Sequence, residues 1–317
     1  MEYLRNSKEI GARLQKLFGG QGRKVAIVGF VGSNALKHLP EDISGLEVVC
    51  WPKAGATHPD GIRQLLGIEG VSVSFCDNLH QKIYWREGTG LIVGSANLSE
   101  NGLGDGGLHE FAVYCADRSF DIDRVLNELS RKPVSESELS KLTCDHWKLI
   151  CRTKRQSGEE IYFTDYLGTG DTNAWKIVTA SEELPKAKVN AAVKAATGTV
   201  DWNTVNEVYS DKFETQKFVL QVETDGKGRV KKANANWMYA ELIVDVDGTP
   251  CIVQRNKLNR NKKPPFKLDN DFKKYVMTAF NTARISKSGE NQLDKKNGDA
   301  TPLIHALRLL YGNATGQ

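Results

Sequence analysis

The chain has 317 residues, 40% hydrophobic and 26% charged, with 43 Lys and Arg against 39 Asp and Glu. That is the composition of an ordinary globular protein, not of a disordered or fibrous one, and no apolar run approaches the roughly 20 residues a membrane helix needs. The charge is uneven: residues 1–150 hold 17 Lys and Arg against 19 Asp and Glu, leaving 26 against 20 for residues 151–317, so the basic excess falls in the second half and points to polyanion contact there.

The opening stretch MEYLRNSKEIGARLQKLFGG carries acids and no long apolar core, so it does not read as a signal peptide. Within it, SKEIGARLQKLF predicts a helix with Ser7 as N-cap and Gly19-Gly20 as the stop. KVAIVGF (24–30) is a continuous apolar run between turn signals and predicts a buried strand. LEVVCW (46–51) and VSVSFC (71–76) repeat the pattern, with a helix over HPDGIRQLLGI (58–68) between them. HQKIYW (80–85), GLIVGSA (90–96) and HEFAVYCA (109–116) follow as three close strands, and SFDIDRVLNELSRK (119–132) as an amphipathic helix. This alternation predicts an α/β sandwich with a mixed sheet and helices outside.

KPVSESELSKLTCDHW (132–147) is polar and Ser/Glu-rich and reads as a boundary. The expected division is a first domain over 1–135, a linker over 136–150 and a smaller α+β domain over 151–317. In that second half, EEIYFTDY (159–166), AWKIVTAS (174–181), KFVLQVET (217–224) and AELIVDVDGTPCIVQ (240–254) predict strands. Asp247-Gly248 makes the last a hairpin. Helices are expected over 183–197, 270–284 and 301–311. The six cysteines, at 50, 76, 115, 144, 151 and 251, have no C-x-x-C spacing. They read as reduced thiols in a cytoplasmic protein without a zinc site.

Chemistry concentrates between residues 80 and 110. In a strand, His80 and Lys82 would share a face. Facing the core, an unpaired cation is costly; facing water, the pair is unremarkable; facing a cleft, it suits an anionic ligand. Gly94-Ser95-Ala96-Asn97 ends the next apolar strand, its small residues permitting close approach and Ser95 and Asn97 offering hydrogen bonds to an oxyanion. Glu110 opens a third strand, where a carboxylate could hold one nitrogen of His80 and raise the basicity of the other. His80, Lys82, Ser95, Asn97 and Glu110 together supply a nucleophile, a cation, two neutral donors and an orienting base, a set suited to attacking a phosphodiester. His109 should point to the opposite strand face from Glu110 and reads as structural, and SENGLGDGGLHE (99–110) as a flexible loop bordering the cleft.

HQKIYWREGTGLIVGSANLS resembles the His-x-Lys…Gly-Ser-x-Asn motif of the phospholipase D superfamily, and HEFAVY is similar to that superfamily's downstream strand, with Glu110 where the acidic partner stands. KVAIVGFVGSNAL resembles the family's first strand and following helix, so the likeness covers roughly residues 5–132. One departure is Glu87, where the motif usually has Asp; a structural hydrogen bond is the role expected of it. The motif occurs once. Lipid-cleaving members usually carry two copies in one chain, whereas single-copy members are typically nucleases that dimerise. The resemblance therefore implies a phospholipase D-like fold in the first domain and a homodimer with its active site on the two-fold axis. It also implies a covalent phosphohistidine on His80, protonation of the leaving oxygen by the second His80, and no metal or other cofactor.

VQRNKLNRNKKPPFK (253–267) packs Arg255, Lys257, Arg260, Lys262 and Lys263 into one segment, the expected nucleic-acid contact, and GKGRVKK (226–232) is a smaller basic stretch of the same kind. Trp175, Trp202 and Trp237 read as core anchors. DNA is the expected substrate, with RNA left open and a restriction or defence role in view. A lipid phosphodiesterase and a non-cleaving nucleic-acid-binding protein are the alternatives.

Overall fold

The computed structural model describes residues 1–105, 108–171, 175–180, 185–199, 202–205, 214–225, 228–230, 234–255, 262–283, 293 and 299–315. It divides into two compact units, Met1–Ile150 and Cys151–Gln317.

The first unit runs β1 (Glu2–Leu4), α1 (Ser7–Phe18), β2 (Lys24–Val28), β3 (Leu46–Cys50), α2 (Pro59–Leu66), β4 (Ser72–Phe75), β5 (Ile83–Arg86), β6 (Gly90–Gly94), α3 (Glu100–Leu103), β7 (Ala112–Cys115), α4 (Ile122–Glu128) and β8 (Lys132–Pro133), and α5 (Glu136–Ser157) begins in it. The eight strands form one mixed sheet in the order β1-β7-β6-β5-β2-β3-β4-β8. β2, β3 and β4 are mutually parallel, and the remaining pairings are antiparallel.

All five residues of β2 are buried because both faces of the sheet are covered. On one face Ile10, Leu14, Leu17 and Phe18 of α1, with Ile62 and Leu65 of α2, pack on Ala26, Val28, Tyr84 and Ile92. On the other, Ile122 and Leu126 of α4 meet Val25, Ile27, Val49, Trp85 and Leu91. Lys24, at the start of β2, is also buried and satisfies its ammonium on the Ser44 carbonyl at 2.9 Å.

Several local expectations change. The cap of α1 is Asn6, whose side chain accepts from Glu9 N at 2.9 Å, one residue ahead of Ser7. The helix expected after KVAIVGF is a single 3-10 turn, Ala35–His38, because the chain first crosses to pair Val31 with Leu98. The polar stretch 136–150, expected to be a linker, is helical and belongs to the 22 residues of α5. Ser135 and Glu138 cap that helix reciprocally: Glu138 N donates to Ser135 Oγ at 3.3 Å, and Ser135 N to Glu138 Oε2 at 3.0 Å. Its polar composition is that of a solvated helix face, with Leu139 and Leu142 turned into the core.

The second unit contains the end of α5, then α6 (Phe163–Leu167), β9 (Trp175–Ala180), α7 (Lys186–Thr197), β10 (Trp202–Val205), β11 (Lys217–Glu223), β12 (Ala235–Ala240), β13 (Leu242–Val246), β14 (Thr249–Arg255), α8 (Asn270–Thr282) and α9 (Thr301–Thr315). It has two three-stranded sheets, β12-β11-β9 and β10-β14-β13. The β13–β14 hairpin turns at Asp247 (φ 54) and Gly248 (φ 86), both in the left-handed region that Asp-Gly supplies at low cost. EEIYFTDY, expected as a strand, instead contains α6, capped where Asp165 Oδ2 accepts from Tyr162 N at 3.0 Å. Five helical residues are too few to show a 3.6 period, and the buried Ile161 and Phe163 mimic strand alternation. Trp175 is fully buried, and Trp237 donates its indole N–H to Phe266 O at 2.8 Å, so both anchor the core.

Candidate active site

The three parallel strands end at one edge of the sheet, and the polar residues gather just beyond it. Trp51 N donates to Gly29 O at 3.0 Å and Cys76 N to Cys50 O at 2.9 Å, carrying the pairing past the strand ends. The chain then turns at Asn78, whose φ of 59 is tolerated by a short side chain that bonds locally. It returns through Leu79–Lys82 into β5. Strand structure starts at Ile83, so His80 and Lys82 stand on the entry loop and not, as expected, within the strand. Their side chains diverge accordingly: the His80 ring is exposed and Lys82 is buried.

Glycine 29 is the hub of this edge. A methyl group there would lie 3.0 Å from Asn97 Oδ1, 3.4 Å from Leu79 O and 3.5 Å from Lys82 Nζ, so the carboxamide, the carbonyl and the ammonium surround the bare Cα. Lys82 Nζ donates to His80 O at 2.7 Å, which fixes the loop bearing the imidazole. Asn97 Oδ1 accepts from Phe30 N at 2.9 Å; this bond orients the carboxamide and leaves its NH2 group as a donor. Burial pulls the Lys82 pKa below the ordinary lysine value, and the Glu110 carboxylate opposes that shift.

Glu110 does not hold His80. It is buried and accepts from Ser95 Oγ in a short hydrogen bond, while Ser95 Oγ accepts from Phe111 N at 3.1 Å. Among the described residues the His80 ring has no hydrogen-bond partner. Glu110 also lies two residues ahead of β7 instead of opening it. The reason is steric: Gly94 lets the β6 and β7 backbones close up, a Cβ there lying 2.5 Å from Phe111 O, and this brings Ser95 against Glu110. Tyr84, buried beneath, donates to Ala96 O at 3.0 Å, and its phenol is pushed far up by burial, reinforced by the Glu110 charge. Glu87, at the motif's departure, accepts from Arg23 N at 3.5 Å on the exposed side of the turn.

No family model matches the chain, and no curated protein does. Solved structures do match. One is NucT from Helicobacter pylori, 11% identical, covering 45% of this chain and 98% of that one at a TM-score of 0.30. Among the described residues, no helix is long and apolar enough to cross a membrane and no three His, Cys, Asp or Glu side chains group as metal ligands.

The basic candidates lie apart from this site in the sequence. Lys257 and Arg260 fall outside the described residues. Arg255 ends β14 opposite Trp202, Lys263 is exposed, and Lys262 donates to Tyr239 Oη at 2.8 Å with its ammonium over that ring. Of GKGRVKK only residues 228–230 are described. His109 is exposed, and the loop at 99–110 carries the short α3, capped by Ser99.

The sequence reading missed Gly29 and the Phe30 amide. A glycine closing a fully buried strand was the available signal, since it marks a close approach.

Proposed function

We propose that the first unit is a metal-independent phosphodiesterase that cleaves nucleic acid, DNA foremost, through a phosphohistidine on His80, and that it works as a homodimer. One observation carries the reading: a buried ammonium and an oriented carboxamide converge around Gly29, and that ammonium is bonded to the backbone of His80, whose side chain is exposed. That arrangement, with the His-x-Lys…Gly-Ser-x-Asn spacing, suits a phosphoryl group whose non-bridging oxygens take charge from Lys82 and a hydrogen bond from Asn97. A His80 nitrogen attacks phosphorus, forming the P–N bond as the P–O bond to the leaving group breaks. The His80 of a second copy gives that oxygen its proton, then takes one from water as the water displaces the phosphohistidine.

Glu110 takes a different role from the one its position suggested. By accepting a hydrogen bond from the Ser95 hydroxyl it fixes the turn that presents Asn97, and its charge helps keep the buried Lys82 protonated.

A second copy has an apolar surface to meet. Register places Tyr3, Val113, Val93 and Ile83 side by side across β1, β7, β6 and β5. Tyr3 and Val93 are 61% and 43% exposed, and Phe111, 51% exposed, lies against Tyr3. This patch adjoins Ser95 through Phe111, and the reading places the second copy across it. The basic second unit would hold flanking phosphates.

The test is incubation with plasmid, single-stranded DNA and RNA in EDTA, beside His80→Ala, with acid-labile radiolabelled phosphate on the trapped protein as the covalent readout. Cleavage in EDTA that disappears with His80 is expected. Cleavage abolished by chelation, or retained by His80→Ala, would overturn the proposal.

A further inference from the structure

Beside the phosphoryl pocket lies an aromatic pair that the proposed chemistry does not use. Phe30 follows the hub glycine, and its amide holds Asn97. Its ring stacks on Trp51 with centroids 5.9 Å apart and planes 27° from parallel. Trp51 is itself joined to Gly29 by the 3.0 Å N–H···O bond, so one residue separates the indole's backbone from the site of the Lys82 ammonium. Both rings are half-buried, and the Trp51 indole N–H has no partner among the described residues. Lys53 is exposed and sets its ammonium 4.7 Å from the Trp51 ring centre.

The loop carrying the pair is braced. Thr57 is wholly buried and donates its hydroxyl to Trp51 O at 2.6 Å; Thr57 N donates to Lys53 O at 2.9 Å, and His58 N to Val31 O at 2.8 Å. An aromatic pair and a cation are thus fixed beside the Lys82 and Asn97 cluster, which is the composition of a nucleotide subsite: a π-face for a base, a charge for its phosphate. Trp51 packs against the core of Val25, Ile27 and Val49 and stays half-exposed, so its ring is held by the fold yet open to solvent.

We infer that Phe30, Trp51 and Lys53 form a subsite for the nucleotide flanking the scissile phosphodiester, with its base stacked on the aromatic pair and its outer phosphate on Lys53. This rests on the phosphodiesterase reading and adds a substrate class to it. A base inside a duplex offers no free face, so the subsite selects an unpaired strand or a base turned out of the stack.

The test separates base recognition from phosphate attraction and from turnover. In the His80→Ala background, binding of a short single-stranded DNA is compared with that of a sugar-phosphate strand of equal length lacking bases. The base-bearing strand is expected to bind about tenfold to a hundredfold more tightly, the range of one stacked base. Trp51→Ala and Phe30→Leu should collapse that preference, and Trp51→Phe should restore most of it. Lys53→Ala should weaken both strands alike and reduce the salt dependence. Phe30→Leu keeps apolar volume, so its result stands even where Trp51→Ala lowers the melting temperature. A base preference unchanged in both variants, or binding of neither strand, would overturn the subsite. A protein that binds with this preference but cleaves nothing in EDTA would overturn the phosphodiesterase reading alone.

Discussion

Lys82 and Glu110 are the two buried charged side chains of the proposed site. Lys82 is buried beside a carboxamide, its pKa drawn down by burial with the Glu110 carboxylate opposing the shift; the proposed function assigns it an anion. Lys82→Met should leave the melting temperature within a few degrees and lower cleavage by about a hundredfold or more, the scale of losing one charge-stabilising donor. Gly29→Ala is a sharper probe. Its methyl would sit 3.0 Å from Asn97 Oδ1 and 3.5 Å from Lys82 Nζ, so activity should fall steeply while circular dichroism stays native. Unchanged turnover in Gly29→Ala would show that the pocket lies elsewhere. Of the five expected site residues, Lys82 lies beside Asn97 and Ser95 beside Glu110, while the His80 side chain stands exposed and apart. These pairings were not legible in the sequence. Whether Glu110 reaches His80 or Ser95 depends on how closely Gly94 lets two backbones approach, and spacing along a chain does not carry that distance.

At the scale of elements, strands with one-sided or continuous apolar patterns were readable, and short or polar helices were not. The β5-β6-β7 meander and the Asp247-Gly248 hairpin follow directly from period and turn residues. α5 was hidden because a solvated helix and a linker share a composition; the Ser135…Glu138 spacing was the overlooked sign. Ser135→Ala should cost about 1 kcal/mol of stability in urea unfolding, a typical N-cap loss.

The same helix brings a titratable contact to the first unit. The His146 ring is buried, 4.6 Å from the His58 ring, whose Nδ1 accepts from Asp60 N at the start of α2. Burial first, then the His58 charge, pull the His146 pKa below its ordinary 6.5, while Asp60 opposes them. The unfolded chain therefore takes up that proton before the folded one, so the contribution is intact above about pH 6.5 and lost as pH falls below it. His38, also lowered by burial, acts in the same direction. Stability should decline between pH 7 and 5, and His146→Phe should flatten the decline without removing it; equal slopes would sink the assignment.

At the scale of the molecule, the claim that a second copy completes the site is the one most open to a direct physical measurement. Phe111→Glu together with Val93→Glu places charges on the exposed apolar row at no cost to buried packing. Sedimentation should then report a monomer with unchanged melting temperature and little cleavage, and mixing this variant with His80→Ala should not restore it. A dimer persisting in the double variant would move the interface elsewhere. The two-unit organisation and the charge bias of the second half could be seen in composition. The exposed apolar row could not, since Tyr3, Val93 and Phe111 come from distant parts of the chain and meet only through strand order.

The edge strand β1 has a practical side. Glu2–Leu4 pair with β7 and set Tyr3 at the rim of that apolar row. Any affinity tag or fluorophore fused ahead of residue 2 would sit beside the exposed row of Tyr3, Val93 and Phe111 that the proposal gives to a second copy. Recombinant material for oligomer and turnover assays is better handled through the opposite end of the polypeptide, and cleavage lost in amino-terminally tagged preparations alone would support the proposed interface.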